Sequence, residues 1–165
     1  MNARRRSLCA LGSIALALGG CGFALRQSPR LTLERIAVLP QPGGSLTQAL
    51  RLALGQALPP NPAGLGPQAT LTVLSEQRDK RAVGLSSSGQ VREYQLRLEL
   101  RFRLVAADGQ VLIPENVIEQ QRDFSYNESA ALAKETEEGL LFQDMQSDLV
   151  AQVMRRLAML RPAQP

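Results

Sequence analysis

Few side chains in this sequence are of a type that performs covalent chemistry, and their positions narrow the options. Histidine is absent, which removes the usual general base and the commonest metal ligand. Two cysteines are present, Cys9 and Cys21. Glu135, Glu137 and Glu138 lie close enough to suggest a carboxylate site, but Lys134 sits among them as a counter-charge, and the group reads as a solvated helix face. Ser86, Ser87 and Ser88 have no base to activate them, and no phosphate-binding loop, GxSxG elbow or GxGxxG turn occurs. The chemistry left is recognition of anions. Arg78, Lys80 and Arg81 precede a flexible GLSSSGQ turn, where basic side chains suit phosphate groups. Arg97, Arg101 and Arg103 form a second basic row, with Glu99 interleaved as on an exposed strand face.

Cys21 is decided by what precedes it. Arg4, Arg5 and Arg6 are followed by an apolar run from Ser7 to Leu18, the pattern of a secretory leader and too short for a membrane span. The run ends Leu18-Gly19-Gly20-Cys21, which resembles the bacterial lipobox. In that class of signals the thiol receives a diacylglyceryl group, cleavage occurs just before the cysteine, and the freed amine is acylated. Cys21 is then an N-palmitoyl and S-diacylglycerol cysteine, with more than the two membrane signals that stable anchoring requires. Gly22 is not the aspartate that retains lipoproteins in the inner membrane, so the outer membrane is the expected destination.

Cutting at Cys21 removes 20 of the 165 residues and leaves 145, a natural size for one domain. It also removes three arginines, no acid, and Cys9, so the net charge falls from +4 to +1 and no intramolecular disulfide is available. With aromatic content of only 4% and no nucleic-acid-binding motif, the high pI is no sign of a nucleic-acid partner. The expected organisation is a leader over residues 1–20, a lipidated N-terminus and linker over 21–30, one domain over 31–161 and a short tail over 162–165. No metal and no cofactor is expected.

The elements follow from periodicity. Leu31 to Pro40 is strand-like, with an apolar centre from Ile36 to Leu39. A helix is expected next, with Ser45 and Gln48 as a capping box, Leu46, Leu50, Leu54 and Leu58 as its stripe, and Pro59 and Pro60 as its stop. ATLTVLSEQRDKRAV begins as a strand and turns polar. In EYQLRLELRFRLV, Tyr94, Leu96, Leu98, Leu100, Phe102 and Leu104 alternate strictly with polar residues, so one face packs and the other is wet. Asp108-Gly109 marks a tight turn into an antiparallel partner, with Pro114 at an edge position or a bulge. A helix of about thirty residues follows from Asn127, striped by Leu141, Met145, Leu149, Val153, Leu157 and Leu160. The order β-α-β-β-β-α predicts a two-layer α+β sandwich, with two helices on one face of a four-stranded mixed sheet.

CGFALR after the lipobox, EYQLRLELRFRL, ADGQVL, RDFSYN and ALAKETEEGLLFQDMQSDLVAQVMRRL together resemble the LptE family of lipopolysaccharide-assembly outer-membrane lipoproteins, from Cys21 to about Leu157. The resemblance implies a non-catalytic plug inside the lumen of the lipopolysaccharide-translocating β-barrel LptD, in a 1:1 complex. It implies a lipid-anchored, periplasm-side domain that binds lipopolysaccharide and aids its delivery to the outer leaflet. Carried over by position, Lys134 in ALAKE matches a basic family position linked to lipopolysaccharide contact, and VGLSSSGQ matches a loop with the same use. Where relatives can carry a bulky or basic tip, this chain has three serines, which moves the expected contact to Arg78, Lys80 and Arg81 on the flank. Two other readings remain open at this point: a stand-alone outer-membrane lipoprotein acting as a partner-binding or pilot factor, and a lipoprotein hydrolase using Glu135 and Glu138.

Overall fold

The computed structural model describes residues 31–58 and 64–160; the leader, Cys21 and the tail after residue 160 lie outside them. The elements are β1 (Ile36–Leu39), α1 (Ser45–Ala57), β2 (Ala69–Leu85), β3 (Val91–Ala106), β4 (Val111–Ser125), a 3-10 turn (Glu128–Ala130) and α2 (Ala131–Ala158). The strands lie in the order β1-β2-β3-β4, with β1 parallel to β2 and the remaining pairs antiparallel. This is the mixed four-stranded sheet and α+β fold read from the sequence.

Strand β3 sets the core. Leu96, Leu98, Leu100, Phe102 and Leu104 are buried, and their neighbours Arg101 and Arg103 are exposed. Leu46, Leu50 and Leu54 of α1 and Met145, Leu149, Val153 and Leu157 of α2 complete the same apolar cluster, each set spaced by four so that it forms one stripe. Burying each such side chain contributes about 1.5–3 kcal/mol.

The ends of the elements differ from the simplest sequence reading in two places. Ser45 does not cap α1. Gly44 occupies the N-cap position with no side-chain bond, and the free helix N–H groups are met by Glu76 on β2 instead. Its Oε2 accepts from Leu46 N–H at 3.1 Å, and its Oε1 accepts from Thr47 N–H at 2.9 Å and from the Thr47 hydroxyl. A Cβ on Gly44 would stand 2.2 Å from Glu76 Oε2, so glycine is needed for the carboxylate to approach. The second difference is in β2. It does not fade at the basic residues but runs on to Leu85, because the alternating β3 pairs with it throughout, Arg78 opposite Leu98 and Lys80 opposite Leu96.

The two hairpins close alike. Ser86 N–H donates to Gln90 O at 2.8 Å and Ala106 N–H to Gln110 O at 2.8 Å, with Gly89 and Gly109 at φ +81° and +89°, a conformation that favours glycine. Beside Pro114 the β3–β4 register slips by one residue, and β4 is the sheet's edge, so both readings of that proline hold together.

Helix glycines are less easily explained from inside. Gly55 in α1 and Gly139 in α2 each have open space where a Cβ would stand, although glycine costs a helix interior about 1 kcal/mol relative to alanine. The molecule is also polar end to end. Thr32 Oγ1 donates to Leu160 O at 2.9 Å, so the described chain begins beside the C-terminal end of α2, while the Ser86–Gly89 turn and the start of α2 lie at the opposite end.

Candidate cation–aromatic site

Alternation along β2 divides the four candidate cations. Arg78 and Lys80 point to the helix-covered face, and Arg81 points to the open face, where its Nε donates to Gln95 Oε1 at 2.9 Å. Lys134 projects from the first turns of α2, which pack over the same end of the sheet. The structure therefore brings Arg78, Lys80 and Lys134 to one side and leaves Arg81 on the other. None of the four lies at the tip of the hairpin.

Two of the three cations on the helix side, Arg78 and Lys80, rest on rings. The Arg78 guanidinium carbon lies 3.6 Å from the centroid of Phe142, and Lys80 Nζ lies 4.3 Å from that of Tyr94 and 5.7 Å from that of Phe124. Tyr94 stacks with Phe124 at 5.9 Å and meets Tyr126 edge-on at 5.1 Å. Four of the chain's six aromatic residues thus gather along this side. A cation over a ring face gains about 0.5–1 kcal/mol when exposed and more when desolvated.

Their charge is only partly neutralised. Glu138 receives Lys80 at 2.5 Å and Arg78 at 4.0 Å, so one carboxylate serves two cations. Lys134 pairs with Glu137 at 2.8 Å and donates to Ser125 Oγ at 3.2 Å. Arg92, exposed at this end, has no carboxylate partner among the described residues. Exposed apolar side chains stand at the same end, Leu85 next to the turn and Leu132 at 80% exposure at the start of α2. Cations beside exposed aliphatic groups fit an amphiphile with anionic and hydrocarbon parts.

Sequence reasoning missed Glu138 as a clamp. Its spacing of four from Lys134 suggested a local helix pair, whereas its partners are on β2, nearly sixty residues earlier. The aromatic floor had a signal, Tyr94 and Phe124 in strands of matching phase, but their pairing depends on register.

The open face of the sheet carries a different arrangement. Glu99 and Glu119 are direct neighbours on β3 and β4, and Arg97 Nη2 bridges them at 2.7 Å to each. The hydrogen bond from Arg97, and then its charge, hold the Glu119 carboxyl below the usual carboxylate range, and Glu119 raises Arg97 in return. Glu99 is only 7% exposed. Arg101 pairs with Glu115 at 2.8 Å, and Arg103 stands exposed. The face is wet, charged and nearly balanced. Among the described residues no group of three or more acidic, cysteine or histidine side chains could hold a metal ion, and no helix is long and apolar enough to cross a membrane.

Residues 33–157 match the family model described as LptE, lipopolysaccharide-assembly. The chain belongs to the LptE family. It is 31% identical over 159 residues to the LPS-assembly lipoprotein LptE of Pectobacterium atrosepticum, covering 93% of this chain and 85% of that protein. Among solved structures, the solution structure of lipoprotein B from Nitrosomonas europaea superposes with a TM-score of 0.69 at 30% identity, covering 83% of this chain and 90% of that one. A minor lipoprotein from Acinetobacter baumannii superposes with a TM-score of 0.60 at 20% identity, covering 82% and 99%, which supports the fold alone. The LptE match spans every strand and nearly all of α2, including all four candidate cations.

Proposed function

We infer that this chain acts in lipopolysaccharide assembly as a lipoprotein of the outer membrane, held there through Cys21, and that it seats within the LptD barrel as a non-catalytic plug. The observation that carries the reading is the family match over residues 33–157, across the whole two-layer core. The open sheet face supports the seat: a lattice of Arg97, Glu99, Glu119, Arg101 and Glu115 is suited to the polar lumen of a transporter barrel. The cation–aromatic side supports the ligand. Lys134, Lys80 and Arg78 share two carboxylates, and Leu132 and Leu85 stand exposed at that end, offering contacts for both the phosphates and the acyl chains of a lipopolysaccharide. Arg81 belongs to the open face and would contact the barrel wall instead.

Detergent extraction of outer membranes tests the seat. The full lipidated chain should co-purify with a large β-barrel in about equal amount. Recovery of the chain alone, at any detergent that leaves the barrel folded, overturns the plug and favours a stand-alone or pilot lipoprotein.

A further inference from the structure

A groove of about 380 Å³ runs between β1 and the C-terminal half of α1, lined in part by Arg35, Ile36, Val38, Arg51, Leu54 and Gly55. Three independent features of it are unfinished. First, β1 ends the sheet order, so its outer edge is paired with no strand among the described residues. Apart from Val38 O, which accepts from Arg51 Nη2, this edge offers backbone donors and acceptors to an added strand. Second, Gly55 forms a notch in the helix wall, with nothing within 4 Å of where its side chain would be. No internal packing requires that glycine, and its missing side chain leaves room for another backbone to approach closely. Third, the Arg51 guanidinium is bound only by carbonyls: Nη1 donates to Pro42 O at 3.3 Å, and Nη2 to Pro40 O at 3.0 Å and Val38 O at 3.4 Å. Its Nε is buried with no acceptor, and no carboxylate lies within ion-pair distance of it among the described residues, although Glu34 lines the same groove as Arg35 and Arg51. Beyond Gly55 the groove opens onto the α1 surface past Pro42 and Leu52, which is 65% exposed.

We propose that this groove receives an extended acidic segment of a partner protein, which pairs with the free edge of β1, crosses the notch at Gly55 and sets a carboxylate against Arg51. The charge decides the occupant. A half-buried cation with an unmet N–H and no ion-pair partner among the described residues calls for an anionic acceptor, and the strand edge beside it calls for a polypeptide rather than a lipid. The site is separate from the cation–aromatic side, at the other end of the sheet.

A photocrosslinking residue, p-benzoylphenylalanine, placed at Leu52 in the full lipidated chain in cells tests this, with adducts mapped by mass spectrometry. The expected adduct lies in one stretch of another protein that contains aspartate or glutamate. Gly55→Leu, which fills the notch, should lower its yield at least fivefold while the melting temperature is unchanged or raised. Arg51→Gln should lower it too. An adduct to lipid, to a second copy of the chain or to residues 22–30 of the same chain overturns the proposal, as does no adduct or a yield unaffected by Gly55→Leu. The result is independent of the plug reading. Failure of the wild-type chain to co-purify with the barrel sinks that reading alone, and an unchanged adduct in the Gly55→Leu chain sinks this one alone.

Discussion

The Glu76 carboxylate on β2 accepts the backbone N–H of Thr47 at 2.9 Å, and with the same oxygen accepts the Thr47 hydroxyl. Thr47 is fully buried, so this one acidic side chain both satisfies a buried hydroxyl and caps a helix that has no cap of its own. It also places negative charge at the helix N-terminus, where the helix dipole favours it. The orientation of α1 over the sheet is thereby tied to the register of β2.

Glu76→Ala should cost about 2 kcal/mol by denaturant unfolding, combining a lost cap with an unpaired buried hydroxyl. Gly44→Ala should cost a similar amount, because its Cβ would displace the same carboxylate. The double variant should cost little more than either single one, since both remove one interaction. Full additivity would show that the two residues act separately.

The cation–aromatic side predicts unequal effects among the four candidates. Lys134→Ala should weaken lipopolysaccharide binding by the purified chain severalfold, and Arg81→Ala, on the opposite face, should leave it unchanged. Arg81→Ala should shift stability by no more than about 0.5 kcal/mol, as exposed substitutions do, and Lys134→Ala, which loses the Glu137 pair and the Ser125 bond of a half-buried side chain, by about 1 kcal/mol. Equal loss in the two variants would remove the site from the helix side.

Glu119 gives a pH signature. Its carboxyl is held below the usual glutamate range in the folded chain, first by the hydrogen bond and then by the charge of Arg97, so the pair stabilises the fold fully at pH above that range. The contribution disappears as pH falls through the lowered folded value. The melting-temperature gap between the native chain and Glu119→Gln should therefore be present at pH 7 and close at acid pH. A gap that persists unchanged at pH 2 would mean that the pair does not account for it.

Cys21→Ser should release the chain from membranes. Metabolic labelling with palmitate should mark the native chain and not the variant, and the variant should fractionate with soluble protein. Membrane retention of an unlabelled variant would place the anchor elsewhere.

Most of the fold was legible because its core strand and both helices carry their burial in their spacing. Leu96 to Leu104 alternate and are buried, and Met145 to Leu157 recur every fourth residue and are buried. What the sequence hid were contacts made at long range. Ser45 looked like a cap because the local pattern allows it, but the capping carboxylate is on Glu76, 30 residues after the Leu46 N–H it accepts. Arg78 to Arg81 looked like one basic cluster because they are adjacent in sequence, but a strand turns neighbours to opposite faces. Their grouping with Lys134 and Glu138 follows from how α2 packs on β2, which no local pattern encodes.

The opposed ends of the sheet have a consequence in distance. At about 3.3 Å per residue, the 17 residues of β2 cover roughly 55 Å, against a bilayer hydrocarbon core of about 30 Å. The described chain enters at one end, ten residues after Cys21, and the Ser86–Gly89 turn stands at the other. β2 alone is therefore longer than a bilayer hydrocarbon core is thick. The β2–β3 hairpin sets that length. Deleting two residues from each of its strands would draw the tip back by about 6.6 Å without touching the core around Leu100 and Leu149.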